Sequence, residues 1–322
     1  FSDMIKLLSD RYSNKNFRLH IYLGVYYIKD VNETIRQMVD KVSLVIMKSK
    51  GNMSNYILYY DENSYRNDIF KQQLIGEFET ALNENQFCMY LQPQTDKDGN
   101  MLGAEALIRW NHPNMGLIMP GAFIECFEDA GLIYRLDNYI WEEAAKQLKT
   151  WKDSGYNYYI SVNISAKDFY HIDVYQTFKN LVSEYGIDTD KLHIEITETA
   201  LSEDKQEAHK TIERLHNEGF IIEIDDFGSG YSSFNFLKDV CADVIKIDRV
   251  FLKKSSHEER GEQILRSIIS LSHDIGMDVI TEGVENVDQL SMLAKMNCDW
   301  FQGYYFSVNI SAKDFYHIDV YQ

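Results

Sequence analysis

From Gln86 onward, short apolar runs alternate with stretches whose apolar residues recur every three to four positions. The runs Phe87–Gln92, Ala104–Trp110, Tyr158–Ser165, Leu192–Glu198, Ile221–Asp226, Val244–Asp248, Val279–Glu282 and Phe301–Phe306 read as strands. Between them, Ala122–Ala130, Leu136–Trp151, Val174–Tyr185, Lys205–Glu218, Gly261–Ile275 and Val287–Met296 carry helical periodicity. Strand–helix alternation of this length predicts a parallel α/β fold, and eight strands suit a closed barrel.

The first 65 residues have a different rhythm. Met4–Tyr12 is a short amphipathic helix, Phe17–Ile28 has strand composition, Asn32 is placed to cap a helix from Glu33 to about Lys48 that Gly51 ends, and Tyr56–Tyr60 is a second strand. Two strands and two helices make a thin core, so this small α/β piece is expected to lean on other sequence. Residues 66–85 continue as a connecting helix, with Ile69, Leu74, Phe78 and Leu82 at helical spacing.

Ser161–Gln176 (SVNISAKDFYHIDVYQ) recurs unchanged as Ser307–Gln322. Diverging repeats do not stay identical while their surroundings differ completely. The second copy, 307–322, is read as an artefact of cloning, assembly or register, and no functional element is expected in it.

Composition narrows the class. The chain has 322 residues, 45% hydrophobic and 25% charged, the ordinary globular range. No stretch approaches the roughly 18 apolar residues of a membrane span. The chain opens on Phe1, as a piece of a longer protein would, so an upstream sensor or membrane anchor is compatible with it. Cys88, Cys126, Cys241 and Cys298 are far apart and lack Cys-x-x-Cys spacing, which suits buried thiols in the cytoplasm. The net charge of −18 is uneven: residues 1–65 hold 9 Lys/Arg against 7 Asp/Glu, leaving 23 against 43 for the rest. An acidic domain of this kind repels polynucleotides. It accepts a small phosphorylated ligand only if bound cations reverse the local field.

The candidate chemistry sits where predicted strands end, the position at which barrels carry their active residues. Asn163, Glu195, Glu198, Asp225 and Asp226 lie late in or at the ends of their strands, and Lys246, Glu282 and Gln302 within or at the ends of the last three. Singly, each has an ordinary reading: a strand-end Asp caps helices, and a lysine pairs with an acid. Together, several carboxylates in one pocket repel one another and are driven toward protonation unless a cation sits among them. Oxygen donors with one Asn carbonyl and no Cys or His point to Mg²⁺ or Mn²⁺ rather than zinc. The adjacent pair Asp225–Asp226 suits two bridged ions. After it, Asp225 to Ser233 forms a polar loop in which Gly228 and Gly230 permit positive φ; it lacks the order of a triphosphate-binding loop.

These motifs resemble those of EAL-domain cyclic di-GMP phosphodiesterases. The carriers are Gln92-Pro93, Glu105-Ala106-Leu107 with Ile108-Arg109-Trp110 and His112-Pro113, Val162-Asn163-Ile164-Ser165, Glu195-Ile196-Thr197-Glu198, Asp225-Asp226-Phe227-Gly228, Lys246-Ile247-Asp248, Thr281-Glu282-Gly283-Val284-Glu285 and Gln302-Gly303-Tyr304. The resemblance implies a modified (β/α)₈ TIM-like barrel over 86–306 with an antiparallel first strand. It implies metal ligands at Glu105, Asn163, Glu195 and Asp225, with Asp226 and Glu282 at a second metal or the water. Lys246 is implied to orient or deprotonate the water, Glu198 to brace the loop after Asp225, and Gln302 to lie near the water and metals. Gln92 and Arg109 are implied to contact substrate. Residues 1–65 resemble the C-terminal part of a GGDEF-like domain, through Phe17–Ile28, Asp40, Lys48–Gly51 and Tyr59-Tyr60-Asp61; no Gly-Gly-Asp-Glu-Phe string occurs and cyclase activity has no support.

The departures are small. The turn at Asp96–Asn100 is about one residue short, Thr281 stands where alanine is common, and the duplicated segment replaces the usual continuation after Phe306. The resemblance implies hydrolysis of cyclic di-GMP to linear pGpG with two Mg²⁺ or Mn²⁺ ions, in the cytoplasm, by a chain that pairs as a homodimer and takes its signal from an upstream sensor. Two alternatives stand beside it: a catalytically weak or inactive cyclic di-GMP receptor, and a structural module that binds partners but no nucleotide.

Overall fold

The structure, a computed structural model, describes residues 4, 7–8, 11–13, 21–48, 57–201, 206–228, 237–238, 240–252, 258–312 and 315. Most of the predicted helix Met4–Tyr12, the start of the strand Phe17–Ile28, Gly51, Tyr56, Lys205, the loop residues 229–233 and most of the second repeat copy lie outside them. Two compact units divide at Gly76/Glu77.

In the first unit β1 (Leu23–Val25) pairs in parallel with β2 (Ile57–Tyr59), and α1 (Ile35–Lys48) packs on β1. Close packing explains Gly24: a Cβ there would lie 2.7 Å from Val42 Cγ1. The cap of α1 corrects the sequence reading. Thr34 Oγ1 accepts from the Gln37 amide (3.3 Å), and the Gln37 side chain accepts from the Thr34 amide (2.9 Å). That reciprocal capping box satisfies two orphan donors and outcompetes Asn32. The long helix α2 (Glu62–Asn83) follows and crosses the division.

The second unit opens with β3 (Phe87–Thr95), β4 (Met101–His112) and β5 (Gly116–Ile118), then α3 (Ile124–Asp129) and α4 (Ile133–Asp153). Next come β6 (Tyr159–Ile164), α5 (Asp168–His171), α6 (Val174–Tyr185), β7 (Leu192–Thr197), α7 (Gln206–Asn217), β8 (Ile222–Phe227) and β9 (Val244–Ile247). The chain continues through α8 (Glu258–Asp274), β10 (Asp278–Thr281), α9 (Val287–Lys295), β11 (Trp300–Gln302) and β12 (Ile310–Ser311). Strands β4 and β6 to β11 pair in parallel in sequence order, and β3 closes the ring antiparallel to both β4 and β11. The expected eight-strand barrel with an inverted first strand is thus observed. No helix among the described residues is long and apolar enough to cross a membrane.

Side chains alternate between barrel interior and helix-facing surface. In β7, Leu192, Ile194 and Ile196 join the outer core with Trp141, Phe178 and Leu215, while His193 and Glu195 alternate with them. Where the β3–β4 hairpin runs beyond the barrel, Phe78, Phe87, Trp110, Phe123 and Phe127 pack ring against ring at 4.9–6.2 Å. Each such buried ring contributes roughly 1.5–3 kcal/mol.

One predicted strand shortens. Phe301–Phe306 leaves the sheet after Gln302, because Gly303 turns the chain across Val284, whose backbone nitrogen a Cβ would approach to 2.3 Å. The short elements β5 and α5 had no sequence signal, being under one period of either pattern.

Candidate active site

Four strands deliver carboxylates to one buried ammonium. Lys246, from β9, has no exposed surface; its Nζ lies 2.8 Å from Glu195 Oε2 and Glu282 Oε1, and 3.3 Å from Glu105 Oε2 and Asp225 Oδ1. Register explains the convergence: Asn163 is level with Glu195, and Thr197 with Asp225, across neighbouring parallel strands. Glu282 directly follows β10.

Burial opposes the charge on Lys246, but Asp225, Glu105, Glu195 and Glu282 together override it and hold the ammonium's pKa well above its ordinary value. Burial, then repulsion from Glu105, pushes Glu195 well up despite Lys246. Glu282 is pushed up to about 8, chiefly by burial. One lysine therefore only partly offsets the crowd of acids.

Asp226 does not follow strand alternation. It adopts φ 55°, at a register irregularity between Ile224 and Phe227, and is exposed on the rim. Partial loss of water around its carboxyl, then Asp225 and Asp248, raise its pKa. Aspartate tolerates the left-handed region better than most residues, and such outliers concentrate at functional sites. Gly228 has φ 89°, and a Cβ there would lie 2.5 Å from the Phe251 ring. Glu198 opens the turn Glu198–Leu201 beside this rim; Gly230 and the rest of the loop it is expected to brace lie outside the described residues.

The predicted polar partners divide. Gln302 Nε2 donates to Glu105 Oε2 (2.6 Å) and Gln92 Oε1 (3.2 Å), and Asn163 Nδ2 donates to Glu105 Oε1 (3.3 Å). Gln92 and Gln302 also line a cleft of about 190 Å³ with Arg249, Glu282 and Tyr304. Arg109 is only 4% exposed, donates to the Ile108 carbonyl (2.7 Å) and lies over the Tyr90 ring. On the other side, Asn163, Thr197 and Thr199 line a cleft of about 520 Å³ with Asp137 and Trp141.

The sequence reading missed Gln94, Tyr159, His193 and Glu223, all 6% exposed or less. Tyr159 Oη donates to Gln94 Oε1 (2.6 Å), and His193 Nδ1 pairs with Glu223 Oε1 (2.6 Å). For His193 and Glu223 the signal was present: Leu-His-Ile-Glu-Ile and Ile-Glu-Ile-Asp place a polar residue at every second position of an otherwise buried strand. It also missed Asp137, which faces Asp168. Burial, then Asp168, holds the Asp137 carboxyl well above its ordinary range, and burial pushes Asp168 up to about 7.

Among the described residues, no three His, Cys, Asp or Glu side chains are arranged as a finished metal shell; the carboxylates are drawn onto Lys246 instead. The donor set nonetheless suits hard divalent cations. Every candidate is an oxygen donor, and Glu195 Oε1 is buried with no hydrogen-bond partner. The EAL-domain family model matches residues 75–309.

The chain belongs to the EAL-domain family.

Its relatives include the bifunctional diguanylate cyclase/cyclic di-GMP phosphodiesterase MucR of Pseudomonas aeruginosa, 30% identical over 305 residues, covering 94% of this chain and 44% of MucR. Cyclic di-GMP phosphodiesterase PdeR of Escherichia coli is 31% identical over 235 residues, 73% of this chain and 36% of PdeR. This chain therefore spans less than half the length of these curated relatives. Among solved structures, the PaMucR phosphodiesterase in complex with c-di-GMP superposes with a TM-score of 0.71 at 33% identity, covering 76% of this chain and 99% of that one. The EAL tripeptide is Glu105-Ala106-Leu107 on β4, and its glutamate is one of the four acids on Lys246.

Proposed function

We propose that this chain hydrolyses cyclic di-GMP to linear pGpG, as a cytoplasmic phosphodiesterase. The observation that carries the reading is the convergence of Glu105, Glu195, Asp225 and Glu282 on buried Lys246 within an EAL barrel. Two Mg²⁺ or Mn²⁺ ions held by Glu105, Asn163, Glu195, Asp225, Asp226 and Glu282 would supply Lewis acidity, acidify the attacking water and orient the phosphodiester.

The residues of the chain do the rest. Lys246 is a fixed, buried donor at the centre of the acids, suited to hold the water and to stabilise charge growing on the phosphoryl oxygens. Added positive charge among the carboxylates would weaken their hold on its proton, which lets the amine take a proton from the water. Water oxygen bonds to phosphorus, the P–O3′ bond breaks, and the proton that Lys246 takes from the water is balanced by one delivered to the leaving 3′ oxygen, which returns Lys246 to the neutral amine through solvent. Gln92 lines the cleft beside Glu282 and presents its amide nitrogen to the substrate, while Gln302 stands beside the water and metals; Arg109 supports that side through its charge. Glu198 braces the rim that carries Asp225 and Asp226. The same reading makes cyclic di-GMP the ligand, expects two chains to pair and an upstream sensor to set activity, and treats residues 1–65 as the end of a GGDEF-like domain without cyclase activity.

The test is hydrolysis of cyclic di-GMP by the chain with Mg²⁺ or Mn²⁺, after chelation, and after metal is restored. Metal-dependent appearance of pGpG is expected. Binding of cyclic di-GMP with no hydrolysis at any metal concentration would instead assign the chain as a receptor.

A further inference from the structure

Below the carboxylates, the barrel interior contains a directed chain of hydrogen bonds whose first two members, Tyr159 and Gln94, have no part in the proposed chemistry. Tyr159 Oη donates to Gln94 Oε1 at 2.6 Å, Gln94 Nε2 to Gln302 Oε1 at 2.8 Å, and Gln302 Nε2 to Glu105 Oε2 at 2.6 Å. An amide has one accepting and one donating end, so its orientation at one link fixes the next. An ionised Glu105 can only accept. Gln302 must then turn its carbonyl to Gln94, and Gln94 its carbonyl to a hydroxyl that donates. Tyr159 is that hydroxyl.

Its ring is held from several sides. It stacks on His193 with centroids 3.9 Å apart and planes 3° from parallel, and lies 5.7 Å from Trp300. A Cβ on Gly103, its register partner on β4, would fall 2.6 Å from the ring carbons. His193 is in turn fixed by Glu223 and by the Asp190 carbonyl at 3.1 Å. Tyr159, Gln94 and Gln302 are 6%, 0% and 3% exposed, so water does not compete for these bonds. A buried chain with every link made and one permitted polarity orients its terminal acceptor far better than a single bond would.

We propose that Tyr159 and Gln94 are positioning residues which, through Gln302, hold the Glu105 carboxylate in the orientation that accepts a divalent cation and so set the metal affinity of the site. The proposal rests on the phosphodiesterase reading for the role of Glu105, but metal binding can be followed without turnover.

The experiment uses the full chain with Tyr159→Phe, which removes one hydroxyl and keeps the ring, and Gln94→Met, which removes both amide links. Mn²⁺ binding is measured without substrate from the electron paramagnetic resonance of the free ion, beside melting curves and steady-state hydrolysis. The Mn²⁺ dissociation constant is expected to rise about threefold to tenfold in Tyr159→Phe and at least about tenfold in Gln94→Met. KM for cyclic di-GMP should stay within about twofold, and kcat should recover at saturating Mn²⁺. A folded Tyr159→Phe with wild-type Mn²⁺ affinity overturns the proposal, and decides alone if Gln94→Met does not fold. Wild-type chain that binds Mn²⁺ without hydrolysing cyclic di-GMP overturns only the phosphodiesterase reading. Wild-type chain that binds no Mn²⁺ overturns both.

Discussion

Two groups of carboxylic acids stand on the same barrel and meet the same difficulty by different means. Around Lys246, Glu105, Glu195, Asp225 and Glu282 gather on one ammonium. On the flank of the 520 Å³ cleft, Asp137 faces Asp168, with Glu128 near enough to add repulsion. Like charges out of water must be balanced by a cation or neutralised by a proton. The first group takes the cation, the second the proton. A group balanced by an exchangeable positive charge is open to divalent ions. A pair that shares a proton, with Asp168 also accepting from the Ser165 amide at 2.8 Å, locks a loop.

The sharpest way to break the comparison is to remove the cation. Lys246→Met should lower hydrolysis by at least about 100-fold. It should also destabilise the metal-free chain by about 3–5 kcal/mol, because four acids lose their buried partner. Mn²⁺ should restore much of that stability in a thermal melt without restoring turnover. Near-normal turnover would remove Lys246 from the chemistry, and a melt that ignores Mn²⁺ would deny that cations can replace the ammonium. Glu105→Gln should also fall by about 100-fold in hydrolysis.

The second group is tested by removing the proton's site. Asp168 is fully buried, and its pKa is raised to about 7. A raised carboxyl favours folding while it stays protonated. The stabilisation is complete below the ordinary carboxylate range near pH 4 and is lost as pH rises through about 7. Between pH 5 and 8 the chain should lose about 2–4 kcal/mol from this pair. Asp168→Asn cannot ionise, keeps an acceptor for Ser165 and offers Asp137 a donor. Denaturant titrations at the two pH values should show that variant losing less by this amount. Equal losses in both proteins would mean that the pair shares no proton.

The two groups were not equally legible. Eight apolar runs and the placement of Glu195, Asp225, Lys246 and Glu282 at their ends announced both the barrel and the cluster, because parallel strands carry their chemistry at one end. The inversion of β3 came from family resemblance; a period-two pattern reads the same in either direction. The pair of Asp137 with Asp168 joins helices distant in sequence, and no local pattern encodes such a contact. The Tyr159–Gln94 link was hidden for a different reason: a polar residue inside a strand looks like a solvent-facing one until the strands close and the face is seen to be interior. The left-handed turn at Asp226 depends on the register slip of β8, which composition does not record.

The smallest effect is expected from the repeated segment, and it separates the two groups from the rest of the fold. Its first copy supplies Asn163 to one group and Asp168 to the other. In the second copy, Ile310–Ser311 pairs antiparallel with Leu91 and Tyr90 of β3, Asn309 Oδ1 is buried without a hydrogen bond, and Phe315 packs on Trp151 at 5.4 Å. Identical sequence therefore does different work: the barrel slot, and not the segment, gives Asn163 and Asp168 their roles. A chain ending at Phe306 should lose roughly 2 kcal/mol, mostly the burial of Phe315, seen as a melting point lower by about 4–8 °C. Its metal-dependent hydrolysis should stay within about twofold, and the pH slope assigned to Asp168 should be unchanged. A tenfold loss of hydrolysis, with the melting point unmoved, would mean that the second copy serves the site and not the scaffold.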